Sequence, residues 1–206
     1  MLVVALTGGI ASGKSIIADI LQELGCYIHH ADMVAHQFME PDKPAWKAIV
    51  DHFGQDILNP DKTINRQKLG AIVFSDEKER AHLNALLHPL VMENKKEVIA
   101  SLKREKTHKI FVSEAALTIE AGYASFFDKI ILAYCPIETQ VERLMERDKI
   151  NKKDALKKIQ SQLPPEKKLK YADYIIDTSR TIKETIEQSE KVFRNLMLDY
   201  TLRYGD

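Results

Sequence analysis

Eight consecutive residues near the N-terminus, Gly8-Gly9-Ile10-Ala11-Ser12-Gly13-Lys14-Ser15, match G-x-x-x-x-G-K-[ST] at every fixed position. Glycines at Gly8, Gly9 and Gly13 let backbone N–H groups close around phosphate oxygens with no Cβ in the way. A helix starting near Lys14 would turn its positive dipole end toward the same oxygens. Lys14 is then placed to reach the β- and γ-phosphates, and the Ser15 hydroxyl to ligate Mg²⁺. The pattern predicts a nucleoside triphosphate site.

Two strings mimic the guanine-reading parts of GTPases and fail on context. Asn151-Lys152-Lys153-Asp154 has the N-K-x-D spacing but follows a charged amphipathic stretch where a buried strand is required. Asp51-His52-Phe53-Gly54 has D-x-x-G, yet Trp46, Ile49, Val50 and Phe53 recur as one helix face. The chain is also short for a motor or helicase. A small kinase remains, and it needs an acceptor pocket, a carboxylate near the γ-phosphate and mobile cations for the developing charge. Asp32 ends the second strand candidate, at the carboxyl edge where ligands bind in parallel sheets. There it can take a proton from an attacking hydroxyl, hold that hydroxyl in line, or bind a Mg²⁺ water; its structural alternative is to N-cap Met33–Met39. Arg143 and Arg147, at i and i+4, share a helix face. From 140 to 170 ten Lys and Arg stand against five Asp and Glu. That local excess predicts a basic lid that closes over the triphosphate and expels water.

The elements that must position these groups follow from periodicity. Leu2–Leu6 is a continuous apolar run suited to a strand buried on both faces. Ile16–Leu24 has helical spacing and stops at Gly25. Cys26–Ile28, Lys109–Ser113, Lys129–Tyr134 and Tyr174–Ile176 are further strands. The order is β-α-β, a long insert, then β-α-β-α-β-α, which predicts an α/β fold with a parallel sheet covered by helices. The insert, about Met33 to Lys106, is expected to be helical, with a turn at Pro60-Asp61 and a break or new helix start at Pro89.

Composition bounds the rest. The 206 residues carry 30 Lys and Arg against 30 Asp and Glu, so a zero net charge argues against a nucleic-acid coat. No apolar run approaches the roughly 20 residues of a membrane span, and MLVVALTGG lacks the basic start of a signal peptide. Cys26 and Cys135 adjoin apolar stretches and are expected to be buried free thiols in a reducing cytoplasm. His29, His30 and Asp32 cluster in sequence, but neighbours on a strand point to opposite faces, so no transition-metal site is expected. The expected partners are small molecules, with no nucleic acid or membrane, on a monomer or weak homo-oligomer.

Nearly end to end, the chain resembles the dephospho-coenzyme A kinase family. The carriers are Leu6-Thr7-Gly8-Gly9-Ile10-Ala11-Ser12-Gly13-Lys14-Ser15, Asp32 with Val34-Ala35-His36, His52-Phe53-Gly54, and Ile64-Asn65-Arg66 through Leu69 to Val73-Phe74. Leu86-Leu87-His88-Pro89, Glu114-Ala115-Ala116-Leu117, Glu120-Ala121-Gly122, the lid's Gln140, Arg143 and Arg147, and Ala172-Asp173 with Ile175-Ile176 continue it. The resemblance implies a P-loop kinase fold with a five-stranded parallel sheet, order 2-3-1-4-5, a helical acceptor-binding insert and a helical lid. It implies a nucleotide core at 1–32, 107–139 and 171–206, an acceptor domain at 33–106 and a lid at 140–170. The implied reaction moves the ATP γ-phosphate to the ribose 3′-hydroxyl of dephospho-CoA, with Mg²⁺, as the last step of CoA synthesis. Residues Ala11, Ser12, Gly13, Lys14, Ser15 and Ile16 would line the phosphates, Asp32 would serve the acceptor hydroxyl, and Arg143 and Arg147 would clamp the transferring group. Arg66, His88 and Glu114 are acceptor-side candidates. The chain departs from the family at His30, Ala116, Thr118, Lys158 and Thr178, the last standing where Asn commonly ends the final strand. Rival functions are a kinase of the same fold acting on another small hydroxyl acceptor, such as a nucleoside, and an ATP-binding regulatory module without transfer activity.

Overall fold

The computed structural model describes residues 1–205. Internal contacts divide the chain into two units, residues 1–30 with 99–206, and residues 31–98.

The first unit is built on a sheet of order β2-β3-β1-β4-β5. Its strands are β1 (Leu2–Gly8), β2 (Tyr27–His30), β3 (Ile110–Glu114), β4 (Lys129–Tyr134) and β5 (Tyr174–Asp177). Every pairing is parallel, with β1 central: Leu2 faces Ile110 of β3, and Leu6 faces Ile131 of β4. All seven β1 residues are buried, as their unbroken apolar run requires when helices cover both faces. Leu2, Val4 and Leu6 pack with Ile17 and Leu21 of α1 (Lys14–Glu23) and with Val192 and Leu196 of the C-terminal helix. The chain leaves β1 where β3 lies to one side and β4 to the other, the switch point at which such sheets bind ligands. The predicted fold class and strand order are those observed.

Local sequence explains most element ends. Ile17, Ala18 and Leu21 form the buried stripe of α1, whereas Ile16, which shares the apolar spacing, is exposed. Gly25, just past the helix, has φ +99° and so takes a left-handed turn that a side chain would disfavour. The second strand runs on to His30, and Asp32 therefore lies in the first turn of α2 (Ala31–Phe38), not at a strand end or an N-cap. A carboxylate in a helix's first turn suits the dipole. The N-K-x-D string sits on α7 (Lys152–Gln160), where the Asn151 side chain caps the helix by accepting from the Asp154 N–H at 2.9 Å.

The 31–98 unit is helical, as expected. Its core joins Ala45 and Ile49 of α3 (Pro44–Phe53), Leu69 and Val73 of α4 (Arg66–Ser75), and Leu87 of α5 (Glu77–Glu105). The D-x-x-G string closes α3, with Gly54 as its C-cap at φ +83°. A tight turn spans Asn59–Thr63, where the Asn59 N–H donates to the Thr63 carbonyl at 2.9 Å. The expected break at Pro89 does not occur: Pro89 lies inside the 29-residue α5. A mid-helix proline costs about 3 kcal/mol, and burial of Leu87 with Leu83, Leu86 and Leu90 packed alongside outweighs it.

Among the described residues no helix is long and apolar enough to cross a membrane, and no cluster of three or more His, Cys, Asp or Glu can hold a metal. Cys26 and Cys135 are free and buried. Burial pushes the Cys26 thiol up to about 12, which leaves it an inert core residue.

Candidate active site

The loop between β1 and α1 is shaped by close approach. A Cβ on Gly8 would lie 2.5 Å from the backbone oxygen of Ala133 and 2.5 Å from Ser12 Oγ, and one on Gly9 would lie 2.4 Å from Gln140 Oε1. Gly13 caps α1 at φ +81°, with Thr178 pressed against it. Ala11 is left-handed too, at φ +58°, a cost of about 1–2 kcal/mol for a residue with a Cβ. Lys14 Nζ donates to the carbonyls of Gly8 (3.2 Å) and Gly9 (2.9 Å), so the ammonium sits over the loop it belongs to. Gly8→Ala should overlap atoms that cannot retreat. We expect its melting temperature to fall by about 5 °C and ADP binding to be lost, read by thermal melts and titration. An unchanged melt with intact ADP binding would contradict the packing.

The helix start also carries a hydroxyl, and the end of β3 sets a carboxylate beside it. Ser15 Oγ donates to Glu114 Oε1 at 3.0 Å, and Glu114 Oε2 meets His30 Nδ1 at 2.6 Å. Strand register makes this possible, since His30 and Glu114 are partners across β2 and β3. Glu114, an acceptor-side candidate in the resemblance, engages Ser15 and His30 through its two oxygens. Hydroxyl plus carboxylate is an oxygen donor set that fits a hard divalent cation.

Opposite the loop stands α6 (Ile137–Asp148). Arg143 donates through Nη1 to Thr178 Oγ1 at 3.2 Å and through Nη2 to the Thr178 carbonyl at 2.6 Å. Thr178 Oγ1 donates in turn to the Ser12 carbonyl at 2.8 Å. One threonine thus ties the guanidinium to the phosphate loop, a role that nothing in local spacing reveals. Arg147 Nε donates to Asp148 Oδ1 at 2.8 Å, and this contact, with Lys158 adding to it, holds the Asp148 carboxyl below its usual range. Arg143 and Arg147 line the same open cleft of about 390 Å³ as Ser12, Gly13, Lys14 and Ser15. The structure therefore brings Ala11 to Ile16 of the predicted loop and both predicted arginines to one cleft, while Gly8 and Gly9 lie outside its lining.

In the helical unit, Arg66 opens α4 behind Asn65, whose side chain accepts from the N–H groups of Gln67 and Lys68. Arg66 lines a cleft of about 520 Å³ with His36, Glu40, Asn59 and Thr63. His36 lies one turn beyond Asp32 on α2. Burial pushes its imidazole below the usual value and the Arg66 charge pushes it further, while Asp32 pulls it back. Asp32, His36 and Arg66 thus share one electrostatic neighbourhood. The resemblance includes His36 without a role for it, because its i+4 relation to Asp32 matters only once both stand on one helix. His88 does not line this cleft; it sits on α5, where burial first and the Lys95 charge second push its imidazole below the usual value.

A family model described as dephospho-CoA kinase matches residues 2–184. A dephospho-CoA kinase of Halalkalibacterium halodurans is 43% identical over 187 residues, covering 91% of this chain and 92% of that protein. One from Syntrophus aciditrophicus is 38% identical over 197 residues, covering 96% of this chain and 84% of the relative. Among solved structures, the dephospho-CoA kinase from Campylobacter jejuni superimposes with a TM-score of 0.66 at 29% identity, covering 94% of this chain and 96% of that one.

Proposed function

The chain belongs to the dephospho-CoA kinase family, and on that premise we propose how its residues divide the work of moving the ATP γ-phosphate to the ribose 3′-hydroxyl of dephospho-CoA. The observation that carries the reading is the single cleft lined by the loop from Ala11 to Ile16 together with Arg143 and Arg147. Phosphoryl transfer needs little covalent help from a protein and much positioning and charge neutralisation. Lys14 and the start of α1 hold the phosphates; Arg143 and Arg147 meet the negative charge that spreads over the transferring group. Arg143 is fixed beforehand through Thr178, so little reorganisation is left for the moment of reaction.

Mg²⁺ would be held by Ser15, with Glu114 beside it as a further oxygen donor, and would supply positive charge to the phosphates when present. Asp32 orients the acceptor hydroxyl and takes its proton. Arg66 supplies a cation for the acceptor's own phosphates, with residues 33–106 forming the acceptor domain and His88 a more distant member of it. The basic segment 140–170 acts as the lid, and the two buried free thiols accord with a cytoplasmic setting.

The test is direct. Purified protein with ATP, Mg²⁺ and dephospho-CoA should yield ADP and CoA in equal amounts. Turnover with a nucleoside and none with dephospho-CoA would overturn the acceptor assignment, and no turnover with any acceptor would favour a regulatory module. Arg143→Ala should lower kcat by about 10²–10³-fold while leaving acceptor affinity within about threefold, because its partner charge develops only in the transition state. Equal losses in both would mean uniform binding instead.

A further inference from the structure

The phosphate loop has a partner far along the chain. The Ile10 N–H, at the apex of the loop, donates to Gln162 Oε1 at 2.8 Å. Gln162 lies between α7 and α8 (Pro165–Leu169), in the return of the basic segment to the sheet. It is held there from below. Lys168 is fully buried; its ammonium meets Glu120 Oε1 at 2.7 Å and donates to the Ala116 carbonyl at 3.0 Å. The same Glu120 oxygen accepts the N–H of Leu163, the residue next to Gln162, at 3.1 Å. Ala116 also accepts from Thr7 Oγ1 at 3.2 Å, immediately before Gly8. A buried ion pair contributes little net stability compared with apolar side chains of similar size, so its use here is better sought in geometry than in folding energy.

The geometry that needs holding is at Ala11. Its left-handed backbone is unfavourable unless neighbouring contacts over-determine it. Ile10 and Ala11 both pack against the small core of Val141, Leu144, Ala155 and Ile159, and the Gln162 bond fixes the peptide just before the turn. With the Ile10 N–H committed to Gln162, the cleft lining begins at Ala11. We propose that Gln162 is a positioning residue for nucleotide binding: held by the buried Lys168–Glu120 pair, it locks the peptide at Ile10 and so sets the left-handed turn from which the phosphate cradle starts. Gln162 touches no reacting atom; it acts through the Ile10 amide. The inference deepens the reading of the loop as a phosphate site and rests on it.

The test uses the full chain and Gln162→Leu, which keeps the bulk and removes the acceptor. Hydrogen exchange at the Ile10 amide should accelerate at least tenfold. The ADP dissociation constant and the KM for ATP should rise about tenfold, a typical upper value for one hydrogen bond. kcat should change less than threefold, and the melting temperature by less than about 2 °C. Gln162→Glu keeps an oxygen acceptor and should restore the exchange protection of Ile10. Unchanged exchange and ADP affinity in Gln162→Leu would overturn the proposal. So would an affinity loss that tracks a large drop in melting temperature, since that is a structural effect alone. Lys168→Met gives a second reading: where the variant folds, the same exchange and affinity changes are expected, and wild-type values would count against the pair's role. Failure of the underlying site reading looks different, for then the wild-type protein itself would not bind ADP.

Discussion

Asp32→Asn is expected to lower turnover by about two to four orders of magnitude, the usual range for a group that takes or steers a proton, while ADP affinity moves less than threefold. The substitution keeps the shape of the side chain and removes only its ability to accept the proton and carry charge. Asp32 stands in the first turn of α2, exposed, so the change creates no cavity and should leave the fold intact. Its electrostatic side effect can be worked out. Asp32 raises the His36 pKa, against burial and Arg66, which lower it below the usual value. Removing Asp32 lowers it further, so His36, already largely neutral near pH 7.5, stays neutral and does not confound the assay. Steady-state kcat with dephospho-CoA and an ADP titration settle the matter. Near-normal turnover in the variant would show that Asp32 neither accepts nor steers the proton.

Lys14→Met is expected to reduce kcat by about 10³-fold or more and to weaken ATP binding about tenfold. The ammonium acts twice. Through its bonds to the Gly8 and Gly9 carbonyls it draws together the first turn of the loop. Its full positive charge also lies in the cleft where phosphate charge develops. Methionine retains the stem and so most of the packing, which separates loss of charge from loss of shape. A variant that binds ATP like the wild type and turns over within tenfold of it would remove the loop from the γ-phosphate.

What the sequence showed of this machinery follows the distance between partners. The phosphate loop is legible because all of it lies within one short stretch, and its glycines are demanded by the contacts a Cβ would meet. The strands and their parallel α/β alternation follow from buried apolar runs alternating with helical spacing, whereas the order of the sheet is implied only by the family resemblance. Arg143 and Arg147 could be placed on one face by their i,i+4 relation. The anchor of Arg143 could not: Thr178 lies 35 residues away and is marked in the sequence only as a departure from the family pattern. Ser15 and Glu114 are 99 apart, Ile10 and Gln162 152 apart, and no periodicity connects them. Such pairs exist only once parallel strands and crossovers have brought loops together. Pro89 failed for the opposite reason. A strong local rule was overridden by the apolar contacts of the helix around it. At Asp32 the discrepancy is a boundary of two residues, the scale at which strand ends and helix starts compete.

The order of the strands also sets a timetable for synthesis. β1 is made first and is the centre of the sheet, yet its partner β3 begins with Ile110 and β4 only at Lys129. A buried parallel strand with both edges unpaired has no stable state of its own and exposes its apolar run while it waits. The 31–98 unit, by contrast, is one continuous stretch that forms a compact unit of its own. On a ribosome it emerges whole while the N-terminal strand is still unpaired, so it can acquire its helices before the sheet exists. The phosphate loop, written early in the chain, meets Ala133, Gln140 and Thr178, so its full set of contacts is available only after those residues have been made.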